Sequence, residues 1–122
     1  MTTTLLVCET CGFNDSEPDA VHSGERLAHA LERAIKDSAL PVSLKRFRCL
    51  MACKRHCVVQ VRNNRKLGYV IGDFLPDQNA VTALLQYCQA YQLSDTGQVP
   101  YRDWPEHIKG KFIARIPAIE DE

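Results

Sequence analysis

Two cysteine motifs, each set at the end of a β-type run, restrict this chain more than any other feature. Thr3 to Val7 has the Thr, Leu and Val content of a short strand, and Cys8-Glu-Thr-Cys11-Gly12 follows directly. Val42 to Arg48 reads as a second strand, and Cys49-Leu-Met-Ala-Cys53 follows that one. A helical run lies between them. Ser23 is a good N-cap, Glu25 stands in the first turn where the helix dipole favours it, and Leu27, Leu31, Ala34 and Ile35 recur at helical spacing. The helix is predicted to end near Asp37 to Ser38, before Pro41. Strand, helix and strand in this order predict a right-handed crossover between parallel strands. If those strands are neighbours, both cysteine loops leave one edge of the sheet, where open α/β sheets bind their ligands. Four thiolates from segments far apart in sequence are then expected to converge.

The next segments extend the sheet. Val58 to Arg62 reads as a third strand, Asn63-Asn64 as a turn, and Leu67 to Phe74 as a returning fourth strand. Asp77 caps a second helix with Val81, Leu84, Leu85, Cys88 and Tyr91 on its apolar stripe. From Ser94 the periodicity fades among Pro100, Pro105 and Pro117, the single Trp104 and an acidic end. The expected architecture is therefore α/β, in the order β-α-β-β-β-α of a thioredoxin-like sandwich. A four-stranded mixed sheet over residues 1–93 carries an irregular tail, 94–122, packed on it.

Composition bounds the function. A chain of 122 residues suits one domain and falls short of a barrel enzyme of ~250 residues. Its 15 Lys and Arg balance its 15 Asp and Glu, which argues against a globally basic nucleic-acid binder. No run approaches the roughly 20 apolar residues of a membrane span. The opening Met-Thr-Thr-Thr-Leu-Leu has neither a basic leader nor a long apolar run, so a cytoplasmic protein is expected. Thiols stay reduced there, so the six cysteines point to metal or redox chemistry rather than to disulfides.

The C-x2-C and C-x3-C spacings suit a tetrathiolate site of Cys8, Cys11, Cys49 and Cys53, holding either iron–sulfur or zinc. Lys45, Arg46, Arg48, Lys54 and Arg55 share a window without an acid. Cations there would ease reduction of a negatively charged cluster, or dock an acidic redox partner. The plain alternative is a solvated basic strand face. Cys57 stands four residues after Cys53, so a helical loop would bring it to the same face, but it also shares strand parity with Val59 and Val61, which favours a buried wall position. Cys88 falls on the second helix's apolar stripe and reads as core. His56 reads as an exposed basic residue, with a histidine ligand as the alternative. His22, His29 and His107 lack ligand spacing. Met51, Tyr101 and Trp104 read as packing residues.

A resemblance now rests on particular residues. Cys49-Leu-Met-Ala-Cys53, the valine-rich run at Val58, Val59 and Val61, the hairpin, Tyr69 and the capped helix resemble the second half of thioredoxin-like [2Fe-2S] ferredoxins. Cys8, Cys11 and Gly12, then Cys49, Leu50, Cys53 and Cys57, then Gly68-Tyr-Val-Ile-Gly-Asp73, and the closing Ala114-Arg-Ile-Pro117, are similar to a family of small bacterial predicted metal-binding proteins in that superfamily. The resemblance covers most of the chain. It implies a [2Fe-2S] cluster or metal site, electron transfer, a link to cobalamin metabolism and a homodimer. It departs in the first loop, where the better-known ferredoxins carry their second ligand about a dozen residues after the first and this chain has none between Cys11 and Cys49. Either Cys11 or Cys57 takes that role.

Three functions follow in order. The first is a ferredoxin-like electron carrier or cluster-binding accessory protein with no catalytic residues of its own. The second is a structural or metal-delivering zinc module. The third is a thiol–disulfide oxidoreductase using Cys8 and Cys11, although the helix N-terminus that would activate the thiol is about a dozen residues away in sequence.

Overall fold

A computed structural model of the chain describes residues 3–8, 23–38, 42–47, 57–63, 65–75 and 77–117. Five strands and two helices alternate along them: β1 (Thr3–Cys8), α1 (Ser23–Ser38), β2 (Val42–Phe47), β3 (Val59–Arg62), β4 (Gly68–Ile71), α2 (Gln78–Leu93) and β5 (Phe112–Ile116). Single 3-10 turns at Tyr101–Asp103 and Glu106–Ile108 connect α2 to β5. The strands form one mixed sheet in the order β2-β1-β3-β4-β5. β1 and β2 are parallel, as the crossover requires, and the remaining neighbours are antiparallel.

Strand alternation divides the side chains between two faces. Leu5 and Val7 of β1, Val59 and Val61 of β3, and Tyr69 and Ile71 of β4 join Leu27, Ala28 and Leu31 of α1 and most of α2's apolar face in one core. The other set, Cys8 and Val58 with Val70 and Ile113, forms a smaller cluster. On β2 the same alternation separates two neighbouring cations. Lys45 is exposed, whereas Arg46 turns to α1 and pairs with Glu32.

Helix α2 begins where a capping residue predicts it. Asp77 is extended, and its carboxylate accepts a hydrogen bond from the Ala80 N–H at 2.9 Å. Ala80, Val81, Ala83, Leu84, Tyr87, Cys88 and Tyr91 are buried, a stripe wider than the heptad-like spacing of its large residues indicates. Removing the cap in Asp77→Ala is expected to lower the unfolding free energy by about 1 kcal/mol, read from urea denaturation.

The C-terminal stretch departs from the irregular tail expected of it. It packs on the domain, with Val99 and Ile108 buried, but Phe112–Ile116 then adds a fifth strand against β4. The register shifts between Val70 and Ile71, so this edge is bulged. The physical cause is non-local: β4 carries an unpaired row of N–H and C=O groups that needs a partner. The prolines around the segment concealed that demand in the sequence.

Candidate metal centre

The parallel pairing of β1 and β2 sets Cys8 opposite Phe47, the last residue of each strand. Both strands therefore end at one rim of the sheet, side by side. β3 enters at the same rim, because the Cys8 N–H donates to the Val58 carbonyl at 2.9 Å. β4 ends there too, with Ile71 opposite Val59, so Asp73 and the capping Asp77 follow at this rim. β5 starts beside them, and the Gly72 N–H donates to the Lys111 carbonyl at 2.9 Å.

Two cysteines occupy the described part of this rim. Cys8 is 1% exposed and Cys57 is fully buried, and neither forms a disulfide. Cys57 adopts a left-handed φ of 51°, turning the chain just before β3. Its thiol is pushed up to about 11, first by burial, then by the neighbouring Cys8 thiol and the Asp77 carboxylate. Burial and negative charge at Cys8 and Asp77 all oppose ionisation of Cys57. Cys57 also packs with Val59 and Val61, as its strand parity indicates. Cys57 thus takes the wall position, while Cys8 belongs to the smaller cluster.

Cys11, Cys49 and Cys53, with Arg48, Lys54 and Arg55, lie outside the described residues, as do Met51, His56 and His22. Among the described residues no cluster of three or more His, Cys, Asp or Glu groups is assembled for a metal ion. Cys88 stands in α2, fully buried in the core, with its thiol pushed up to about 12 by burial alone. Cys88→Ala is expected to leave metal content unchanged and cost about 1 kcal/mol of stability, the signature of a packing residue.

The chemistry of the donors suits a cationic guest. Thiolates ligate metals, and two buried thiols ionise together only when a positive charge offsets their desolvation. Without metal, the same burial makes the fold alkali-sensitive. Cys57 and Cys88 both have raised folded-state values, so their contribution is complete below the ordinary thiol value of 9.0 and is lost as pH rises toward 11 and 12. The melting temperature of metal-free protein is expected to fall between pH 9 and 11, and less steeply in Cys88→Ala.

The rim also carries residues that sequence reasoning missed. Lys111 donates from Nζ to the Asp73 carbonyl at 2.8 Å and lies 5.3 Å from the Phe74 ring centroid. With His107, Asp77 and the exposed Leu75 it lines a shallow cavity of about 170 Å³. Its place there depends on β5, so the tail's apparent irregularity hid it. His107 and His29 remain apart from the two cysteines in chain position, and His29 instead approaches Glu25 at 3.9 Å.

Comparison with solved structures places the fold. The chain superposes on a thioredoxin-like [2Fe-2S] ferredoxin from Aquifex aeolicus with a TM-score of 0.59 and 14% sequence identity, covering 93% of this chain and 92% of that one. The fold is thus the thioredoxin-like ferredoxin fold, here with five strands and two helices. No curated protein matches the chain. Among the described residues no helix is long and apolar enough to cross a membrane. Residues 5–118 match the family model described as Protein of unknown function (DUF1636), and the chain belongs to that family.

Proposed function

We propose that this protein binds a [2Fe-2S] cluster at the rim and serves in one-electron transfer, or as an accessory protein in metal-cofactor metabolism of the cobalamin kind. Cys8, Cys49 and Cys53 are three ligands in this proposal, and Cys11 or Cys57 is the fourth. The observation that carries it is the register Cys8 to Phe47 together with the Cys8 N–H to Val58 carbonyl bond, which sets the residue after Cys57 at the same rim. Cys11 follows Cys8 by three residues, Cys49 follows Phe47 by two, and Cys53 precedes Cys57 by four. An extended chain spans at most ~3.6 Å per residue, so covalent reach tethers every candidate sulfur to this rim. The likeness to a [2Fe-2S] ferredoxin fold supports the same reading.

When bound, the cluster supplies the one-electron couple. The protein's own residues hold the sulfurs and shield them: β1 and β3 fix Cys8 through the Val58 carbonyl, and the core covers Cys57. Lys45 is exposed beside the rim and, with Arg48, Lys54 and Arg55, would attract an acidic redox protein. Arg46 is committed to Glu32 and belongs to the fold rather than to that surface.

Anaerobic purification followed by a visible spectrum and metal analysis tests the proposal. The expected protein is red-brown, with about two irons and two sulfides per chain. A colourless protein with one zinc per chain replaces this reading with the zinc module. Metal-free protein that reduces insulin disulfides replaces it with the oxidoreductase.

A further inference from the structure

A second cavity lies at the β4–β5 end of the sheet, two strands from β1, and does not depend on the metal reading. It has a volume of about 340 Å³, opens to solvent, and is lined by Tyr69 of β4, Tyr87 of α2, Val99 and Trp104 of the connecting segment, and Phe112 and the exposed Arg115 of β5. Phe112 is the hub of its wall. Its ring centroid lies 4.6 Å from Trp104, 5.4 Å from Tyr69 and 5.6 Å from Tyr87. Trp104 is held in place by its indole N–H, which donates to the Val99 carbonyl at 2.8 Å. Flat apolar walls of this kind select a flat apolar guest.

The polar groups are equally specific. Tyr69 and Tyr87 are buried residues, and both line the cavity. Tyr91, their neighbour, gives its hydroxyl to the Leu67 carbonyl at 2.6 Å. Tyr69 and Tyr87 each bring a phenol hydroxyl able to donate to a guest in the cavity. Arg115 stands opposite Tyr69 across the β4–β5 pair, its guanidinium 5.6 Å from the Tyr69 ring centroid. It forms no ion pair with any described residue. Its charge also opposes the upward push that burial gives the Tyr87 hydroxyl. A guanidinium and two phenols are all able to donate, and their complement is a group that only accepts, an ionised carboxylate. One guanidinium balances one negative charge.

We propose that this cavity is a binding site for a small aromatic carboxylate of one or two rings, seated among Tyr69, Tyr87, Trp104 and Phe112 with its carboxylate on Arg115. Trp104 is the single tryptophan, so its indole N–H gives one assignable signal in nitrogen-15 spectra. The test titrates the full chain with naphthalene carboxylate, and in parallel with naphthalene carboxamide and with acetate. Naphthalene carboxylate is expected to shift the Trp104 signal saturably with a Kd below about 1 mM. The neutral amide and the ringless acetate are expected to bind at least about tenfold more weakly. Arg115→Gln is expected to bring the carboxylate down to the level of the amide, and Tyr87→Phe to weaken it in part. Absence of a saturable shift overturns the proposal. So does equal affinity for carboxylate and amide, or undiminished carboxylate binding by Arg115→Gln. The comparison of carboxylate with amide uses unmutated protein, so it decides the question even if a variant folds poorly.

Discussion

Replacing Cys8 with serine is expected to cut the iron content of anaerobically purified protein to less than about a tenth of the unmutated level. Cys8 is the last residue of β1, it is almost fully buried, and its N–H is tied to the Val58 carbonyl. Its place at the end of β1 is therefore defined by the sheet itself. A serine hydroxyl fits the same space but ionises and ligates iron far less readily than a thiol. The circular dichroism of Cys8→Ser should stay that of the unmutated protein, which separates lost ligation from lost folding. Cys57→Ser and Cys11→Ser then divide the fourth position. The variant that loses iron to the same extent as Cys8→Ser identifies the ligand, and the other should keep most of it. Full iron content in Cys8→Ser would remove the basis of the cluster proposal.

The second large effect is on stability. Gly97→Ala is expected to cost about 3 kcal/mol and lower the melting temperature by roughly 10 °C. Gly97 has a φ of +89°, and an added Cβ would stand 2.8 Å from the Leu67 carbonyl oxygen and 3.0 Å from both the Leu67 nitrogen and Tyr91 Cε2. None of these neighbours can easily give way. The Leu67 carbonyl accepts the Tyr91 hydroxyl, and the Leu67 N–H donates to the Thr96 carbonyl at 2.9 Å. The turn after α2 is thereby clamped onto the segment that leads into β4. Gly110→Ala is the matching control. Its φ is also positive, at +78°, but its Cβ would meet nothing within 4 Å, so only the backbone term of about 1 kcal/mol is expected. Equal costs for the two variants in denaturant titrations would show that the close approach at Gly97 carries no energy.

Local signals made much of the fold legible. The cap and spacing of α2 were written in Asp77 and in Val81, Leu84, Cys88 and Tyr91, because an N-cap bond and a 3.6-residue period are properties of neighbours in sequence. The parallel β1–β2 pair followed from the handedness of a crossover. The strand parity of Cys57 correctly placed it against Val59 and Val61. The opposite facing of Lys45 and Arg46 was also available from strand alternation, although a run of basic residues drew them together as one patch. β5 was not legible. Phe112–Ile116 has a modest strand signal, and it pairs because β4 offers an open edge.

Short-range periodicity and chain handedness were enough to write the two helices and the parallel crossover into the order of residues. Three arrangements needed the folded chain: Cys57 precedes the residue that meets Cys8 at the rim, Lys111 reaches that rim, and rings from β4, α2, the connecting segment and β5 line a cavity beside Arg115. Those arrangements join groups remote along the chain, and their positions are set by which strand edges and apolar faces find each other when the core closes.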